Sequence, residues 1–208
     1  MDWIDMGDLT SEAKEIVKKS YSIVEKYVRG NTPEDYILKR CIIATGDPAI
    51  KDLIRFRNNP IQAGIEAIRE SKTIVTDVAM VKAGINRRAI KSEVIAAIEY
   101  GENAEKTGIT RTSMGFYNLR DRLNGSIIAI GNAPSAALAV YRLVKEGIKP
   151  LLIIATPVGF VNAAESKEMI RSLDVPSITT EGARGGSTIC VAILNGIINL
   201  ALRNEGPY

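Results

Sequence analysis

Four short stretches hold most of the residues whose types could do chemistry. VTD ends in Asp77, and IGNAPS (130–135) offers Asn132 and Ser135. ATPVGFVNAAESKE (155–168) includes Ser166 and Lys167, and TEGARGGS (180–187) sets Arg184 among three glycines before Ser187. Each stands at the end of a run rich in Ile or Thr, and three lead into helical patterns. Glycine-permitted loops and helix starts therefore converge on one rim, where free N–H groups and partial positive charge favour an anion. GARGGS follows the last strand and lacks the G-x-G-x-x-G spacing, so it is neither a dinucleotide fingerprint nor a P-loop. It reads equally as an anion site or a flexible connection. GNAPS reads also as a tight turn, with Asn132 holding backbone groups and Pro134 starting a helix. Arg111, in ITRTS, opposes the dipole at a helix start, which favours a ligand over a bare surface charge. Lys167 reads as a rim cation or a surface lysine.

Histidine is absent. That removes the side chain that titrates near neutral pH and the commonest metal ligand. Cys41 and Cys190 are the only cysteines and lie far apart in sequence, so no metal site is expected. Proton chemistry falls to carboxylates, Lys, Tyr, Cys or water.

A fifth stretch, TPEDYILKRCIIATGDP (32–48), poses a question of its own. Thr32 can cap a helix, Pro33 suits its first position, and Gly46 with Asp47-Pro48 stops it. At about 100° per residue, Ile37, Leu38, Cys41, Ile42 and Thr45 share the face expected to be buried. Tyr36, Arg40 and Ile43 fall opposite. Either that second face packs on another element, or it forms a site or subunit contact around Arg40. Ser20 lies in the apolar stripe of the preceding helix (Ala13, Ile16, Val17, Ile23, Val24, Tyr27) and can bond back to its own helix.

The elements that must position these residues follow from periodicity. Helices are expected from Thr10 or Ser11 to about Val28, over 33–45, around Ile50–Phe56 and Ile61–Glu70, then over 112–123, 134–146, 163–173 and 187–202. KTIVTD (72–77), EVIAAI (93–98), SIIAIG (126–131), LLIIAT (151–156) and PSITTE (176–181) are five strand candidates. Apolar runs alternating with helices indicate a mainly parallel sheet covered on both faces. The expected fold is one α/β domain over 1–208. It is a three-layer, doubly wound, mainly parallel five-stranded sheet of flavodoxin-like order, with an N-terminal helical elaboration. Ligands of such sheets bind outside the carboxyl ends of the strands.

The net charge is a mild +3, and no clustered basic run suggests a nucleic-acid partner. Ile189–Leu202 is shorter than the roughly 20 residues of a membrane span and is interrupted by Asn195 and Asn199. A buried or interface helix is expected there. With no signal-peptide pattern and few cysteines, the expected setting is the reducing cytoplasm, without a disulfide.

IGNAPSAAL, PVGFVNAAESKE and EGARGGS, in this order and spacing, resemble the precorrin-8X methylmutases of cobalamin biosynthesis. VTDVAMVKAGI (75–85), GITRTS (108–113) and the helix ending KRCIIATGD fit the same family, so the resemblance runs from about Ser20 to Asn195. It implies a flavodoxin-like homodimer with its cleft near the subunit interface. The implied reaction moves a methyl group from C11 to C12 of precorrin-8X, giving hydrogenobyrinate, or of cobalt-precorrin-8, giving cobyrinate. No cofactor is implied, because any cobalt is carried by the substrate, a flat macrocycle fringed with carboxylates. Such a ligand suits an apolar floor ringed by cations and polar groups. Arg40, Arg111, Lys167 and Arg184 are the candidate cations, with Ser20, Asp77, Asn132, Ser135 and Ser187 beside them. Ser20 and Arg40 match the family's substrate-contacting positions.

The family pattern in the 33–45 helix is Arg-x-x-His, the histidine being its proposed proton donor and acceptor. Arg40 is present, but Ile43 occupies the histidine position. Two readings follow: a methylmutase working without histidine, or a non-catalytic corrinoid-binding paralogue. In the first, a proton would come from Tyr36, Cys41, Asp47, Asp77 or ordered water. A nucleotide- or phosphate-binding enzyme is a third class, resting on fold analogy alone.

Overall fold

The computed structural model describes residues 10–202. Two helices, α1 (Ser11–Val24) and α2 (Pro33–Thr45), come first among the described residues. A 3-10 turn over Pro48–Leu53 runs into β1 (Ile54–Arg57), followed by α3 (Pro60–Arg69) and β2 (Ile74–Thr76). Then come α4 (Ala79–Gly84), β3 (Val94–Ala96), α5 (Ala104–Thr107) and α6 (Arg111–Asn118). The order closes with β4 (Ile127–Ile130), α7 (Pro134–Lys145), β5 (Leu152–Ala155), α8 (Ala163–Arg171), β6 (Ser177–Thr180) and α9 (Ser187–Leu202).

The strands form one sheet in the order β1-β6-β5-β4-β2-β3. From β3 to β6 all pairings are parallel, which is the expected flavodoxin-like order. Among the described residues the expected count of five is corrected to six. Ile50–Phe56 is not helical throughout: its second half is β1, lying antiparallel on β6 with Ile54 opposite Thr180 and Arg57 opposite Ser177. A run this short cannot distinguish the two periods, and the open edge of β6 decides it.

Alternate residues of each strand feed opposite faces. Ile74, Ile127, Ala129, Leu152, Ile154 and Ile178 join the core under α2, α3 and α9. Val75, Ile128, Ile130, Ile153 and Ala155 join the core under α6, α7 and α8. Helix α9 lies in the first layer, with Ile193, Leu194, Ile197 and Ile198 fully buried and Thr188 and Leu202 exposed. Burial within its own chain fits the first of the two expected forms.

Helix α2 is buried on both sides. Its N-terminus is a capping box: the Asp35 N–H donates to Thr32 Oγ1 at 3.1 Å, and the Thr32 N–H donates to Asp35 Oδ2 at 3.0 Å. Gly46 ends it at φ 65°. Ile37, Cys41 and Ile42 are buried as expected, but Thr45 is exposed and Leu38 only half-buried. Tyr36 and Arg40 are buried because α1 and α9 cover their face. The Tyr36 ring stacks on Tyr21 of α1 at 6.5 Å between centroids. The stripe expected to be buried on α1 is largely open: Ile16, Ile23 and Tyr27 are exposed, and Tyr21 and Val24 make the contact.

Candidate functional site

The sheet reverses its strand order between β2 and β4, and Asp77 stands at the end of β2. Its side chain is fully buried beneath the turn that follows β4. Oδ1 accepts from the N–H groups of Val78 at 2.9 Å and Gly131 at 3.1 Å. Oδ2 accepts from Asn132 and Ala133, both at 2.8 Å. Burial pushes this carboxyl above the ordinary range, and the four N–H groups pull the other way. The N–H groups expected to be free for an anion at GNAPS are therefore held by an internal carboxylate. Asp77 shapes the turn from below, while the Asn132 side chain is exposed above it. A Cβ on Gly131 would come within 2.7 Å of Ser187 Cα, so the turn abuts the start of α9.

Beside this junction a cleft of about 320 Å³ opens between α2, α4 and α9. Arg40 and Ala44 line it from α2, Met80 and Gly84 from α4, and Ser187, Thr188, Val191, Ala192 and Asn195 from α9. From Ser187 to Asn195 is a little over two helical turns, about 12 Å. The floor is apolar and the walls carry one guanidinium. Arg40 donates from Nε to the Ala192 carbonyl at 3.4 Å and from Nη1 to the Tyr36 hydroxyl at 3.2 Å, with its guanidinium 5.7 Å from the Tyr36 ring centre. The cleft thus brings together two expected residues, Arg40 and Ser187. Asn195 was legible only as an interruption of an apolar helix, yet it stands four residues beyond Val191 and eight beyond Ser187, on the same face. It accepts from the Asn86 N–H and donates to the Gly84 carbonyl, both at 2.9 Å, closing α4 onto α9.

The third region is the 180–187 loop. Arg184 is exposed and ion-paired with Asp47. Lys167 lies beneath the loop rather than on the rim: its side chain is fully buried, and Nζ donates to Thr180 Oγ1 at 3.1 Å and to the Arg184 carbonyl at 2.8 Å. Burial, with Arg171 nearby, lowers its pKa to about 8.

The remaining residues are spread more widely. Arg111 is exposed at the start of α6 and reaches the Ile98 carbonyl at 3.4 Å. Ser135 shares a hydrogen bond of 2.9 Å with Thr110, the cap of α6. Ser20 bonds back to the Ile16 carbonyl at 2.9 Å. Ile43 is half-buried and packs on the α2–α9 core, one turn from Arg40. Among the expected proton donors, Cys41 is fully enclosed and its thiol is pushed up to about 12, chiefly by burial. Asp77 is sealed under its turn. Neither can deliver a proton to a ligand in the cleft. Among the described residues, no three His, Cys, Asp or Glu side chains converge as a metal site. None of their helices is long and apolar enough to cross a membrane.

A doubly wound sheet with an open cleft beside its switch point defines an α/β protein of flavodoxin-like order, and ligands of that architecture bind outside the carboxyl ends of the strands. Comparison with known proteins narrows this class. The precorrin-8X methylmutase (CbiC) family model matches residues 15–200, and the chain belongs to that family of isomerases. It is 43% identical over 210 residues to a cobalt-precorrin-8 methylmutase of Methanocaldococcus jannaschii, covering 96% of this chain and 99% of that protein. It is 46% identical over 200 residues to the cobalamin biosynthesis protein CbiHC of Archaeoglobus fulgidus, covering 96% of this chain but 42% of that one. The structure is similar to that of a precorrin-8X methylmutase from Thermus thermophilus, with a TM-score of 0.84 at 33% identity, covering 91% and 96% of the two chains.

Proposed function

We propose that this protein is a methylmutase of cobalamin biosynthesis, moving a methyl group from C11 to C12 of precorrin-8X or cobalt-precorrin-8. The observation that carries the reading is the 43% identity to a cobalt-precorrin-8 methylmutase across nearly the whole of both chains. Substrate and product are isomers: one carbon–carbon bond breaks, another forms, and no co-substrate is consumed. The protein then needs no cofactor of its own, and cobalt enters only within the substrate. Such a shift needs a site that binds the ring better as it distorts, and no nucleophile.

The apolar cleft along α9 offers a floor for the macrocycle, and Arg40 offers a charge-assisted partner for a ring carboxylate. Arg184, Arg111, Asn132, Ser135 and Ser20 are the further candidate partners for the remaining carboxylates of a broad ligand. Asp77 and Lys167 serve from beneath. With Ile43 in place of histidine, ordered water in the open cleft supplies any proton exchanged with the ring, with Tyr36 behind Arg40 and Asp47 beside Arg184 as the side-chain alternatives. The cleft is at the small end of the range for ligand sites. A second copy of the chain, closing over it, completes the pocket, and the apolar residues left open on α1 and at Val158, Phe160 and Val161 supply the contact surface. The setting is the cytoplasm.

The test is a single-turnover assay with stoichiometric protein, run separately on cobalt-precorrin-8 and metal-free precorrin-8X. Conversion to the cobyrinate or hydrogenobyrinate spectrum supports the reading and shows the preferred ring. A bound but unconverted spectrum would make the protein a corrinoid-binding paralogue. No spectral change with either ring would remove both.

A further inference from the structure

Lys167 points inward at the end of a rim where its charge could have met a ligand. Three atoms close a triangle under the 180–187 loop. Lys167 Nζ donates to Thr180 Oγ1 at 3.1 Å and to the Arg184 carbonyl at 2.8 Å, and Thr180 Oγ1 donates to that same carbonyl at 2.8 Å. The loop is also tied at its flanks. The Gly159 N–H donates to the Ala183 carbonyl at 3.1 Å, the Gly186 N–H to the Thr156 carbonyl at 2.7 Å, and the Thr156 hydroxyl to the Gly186 carbonyl at 3.2 Å. A Cβ on Gly185 would sit 2.2 Å from the Thr156 oxygen, so the loop backbone lies directly on the end of β5.

We infer that Lys167 is a positioning residue: by holding the Arg184 carbonyl and Thr180 from below, it sets the loop that presents Arg184 outward and delivers Ser187 and Thr188 to the cleft. Peptide planarity explains how a buried group can act on the outer surface. The 184–185 peptide is trans, so its N–H points opposite to its C=O. Turning the Arg184 carbonyl down onto Lys167 turns the Gly185 N–H away from it. The Arg184 side chain leaves the same backbone and reaches Asp47 across the rim. Gly186, whose amide and carbonyl both dock on Thr156, then starts α9, and the Ile189 and Cys190 N–H groups donate to its carbonyl at 3.1 and 3.2 Å.

The charged groups around Lys167 are placed so that its own charge matters. On α8, Arg171 is paired with Glu168; on the loop, Glu181 is paired with Arg55 and Arg184 with Asp47. Glu165, also on α8, is exposed to water, and Lys167 Nζ itself meets a hydroxyl and a carbonyl, neither of which cancels its charge, so that charge adds to the positive potential of the rim. Its pKa of about 8, lowered first by burial and then by Arg171, puts loss of that charge within reach of mild alkali.

The substrate arm of the test rests on the methylmutase reading; the other arm does not. Lys167→Met keeps an apolar stem and removes every donor, whereas Lys167→Arg keeps charge and donors. In ligand-free Lys167→Met, the Gly186 amide should exchange hydrogen roughly tenfold faster while the sheet amides keep their protection. Binding of precorrin-8X or cobalt-precorrin-8 should weaken roughly tenfold, with the single-turnover rate of bound substrate within about twofold of wild type. Lys167→Arg should restore part of both losses. Unchanged Gly186 exchange in Lys167→Met overturns the inference. If that variant does not fold, Thr180→Val decides it: it removes the hydroxyl that joins Lys167 to the Arg184 carbonyl, so Gly186 exchange should again rise and substrate affinity fall, and unchanged exchange overturns the inference. Should neither ring bind wild-type protein, the methylmutase reading fails and Gly186 exchange still judges Lys167.

Discussion

Arg184 is ion-paired with Asp47, so the loop before α9 is fastened to the residue two places beyond the end of α2. Asp47 also accepts from the Ala49 N–H at 2.9 Å and thereby caps the next turn. The pair joins two segments that reach the same rim from opposite ends of the chain. Both side chains are partly open to water, so the pair contributes to direction more than to stability. Asp47→Asn, which keeps an oxygen for the cap, should change unfolding free energy by less than about 1 kcal/mol. It should weaken substrate binding several-fold by freeing Arg184. A thermal melt and a spectral titration check both. Wild-type affinity in the variant would show that the pair does not orient Arg184 for the ligand.

Ile43 is half-buried, one helical turn from a guanidinium that lines the cleft. General acid–base assistance is typically worth ~10²–10⁴-fold, so its absence slows a reaction that ring distortion can still drive. Ile43→His should therefore raise the single-turnover rate at least about tenfold with little change in substrate affinity. The imidazole should cost about 1 kcal/mol where isoleucine packed on the core. A folded variant with no rate gain would mean that more of the site than one residue has been rebuilt.

Asp77 spends its carboxylate on four backbone N–H groups at the sheet's switch point. Asn in its place keeps one acceptor and turns an NH₂ toward donors, so Asp77→Asn should cost about 2–4 kcal/mol. The variant should also differ in pH dependence. Burial raises the folded pKa above that of the unfolded chain, so native protein binds this proton more tightly. The stabilisation this proton provides is full below the ordinary aspartate range and is lost as pH rises through the folded value. Subtracting the variant's urea midpoints from those of wild type should reveal that slope just above the ordinary aspartate range. A difference that does not vary with pH would show that the four N–H groups offset burial completely.

Much of this architecture was legible in the residues. Thr32, Pro33 and Gly46 bounded α2, and the apolar runs located all five parallel strands, because caps and buried strands are local signals. β1 was missed because its strand character depends on the open edge of β6, more than a hundred residues away. The roles of Asp77 and Lys167 were missed for a related reason. Asp77 was read as a rim residue and Lys167 as a rim cation or a surface lysine, but their partners are groups brought within reach only by tertiary packing. Arg40 shows the middle case. Its odd face was visible by periodicity, and its covering required the observed packing of α1 and α9 to be understood.

The open face of α1 carries the last prediction. Ile16 and Ile23 lie two turns apart on one face of a helix whose opposite side, through Tyr21 and Val24, packs on α2, and Tyr27 continues the open surface in the turn beyond its end. An amphipathic helix normally buries its apolar stripe, and here the stripe points to water. Residues on one face at 58% and 56% exposure, Ile16 and Ile23, contribute little to the fold of their own chain. A lysine there should be nearly neutral for a monomer and costly for a contact between copies. Ile23→Lys should therefore keep the wild-type circular dichroism spectrum while shifting sedimentation from dimer to monomer. Because a second copy is proposed to complete the cleft, substrate affinity should fall in parallel with the dimer fraction as protein is diluted. A dimer that survives Ile23→Lys would move the contact away from α1, toward the exposed Val158, Phe160 and Val161 beside the rim.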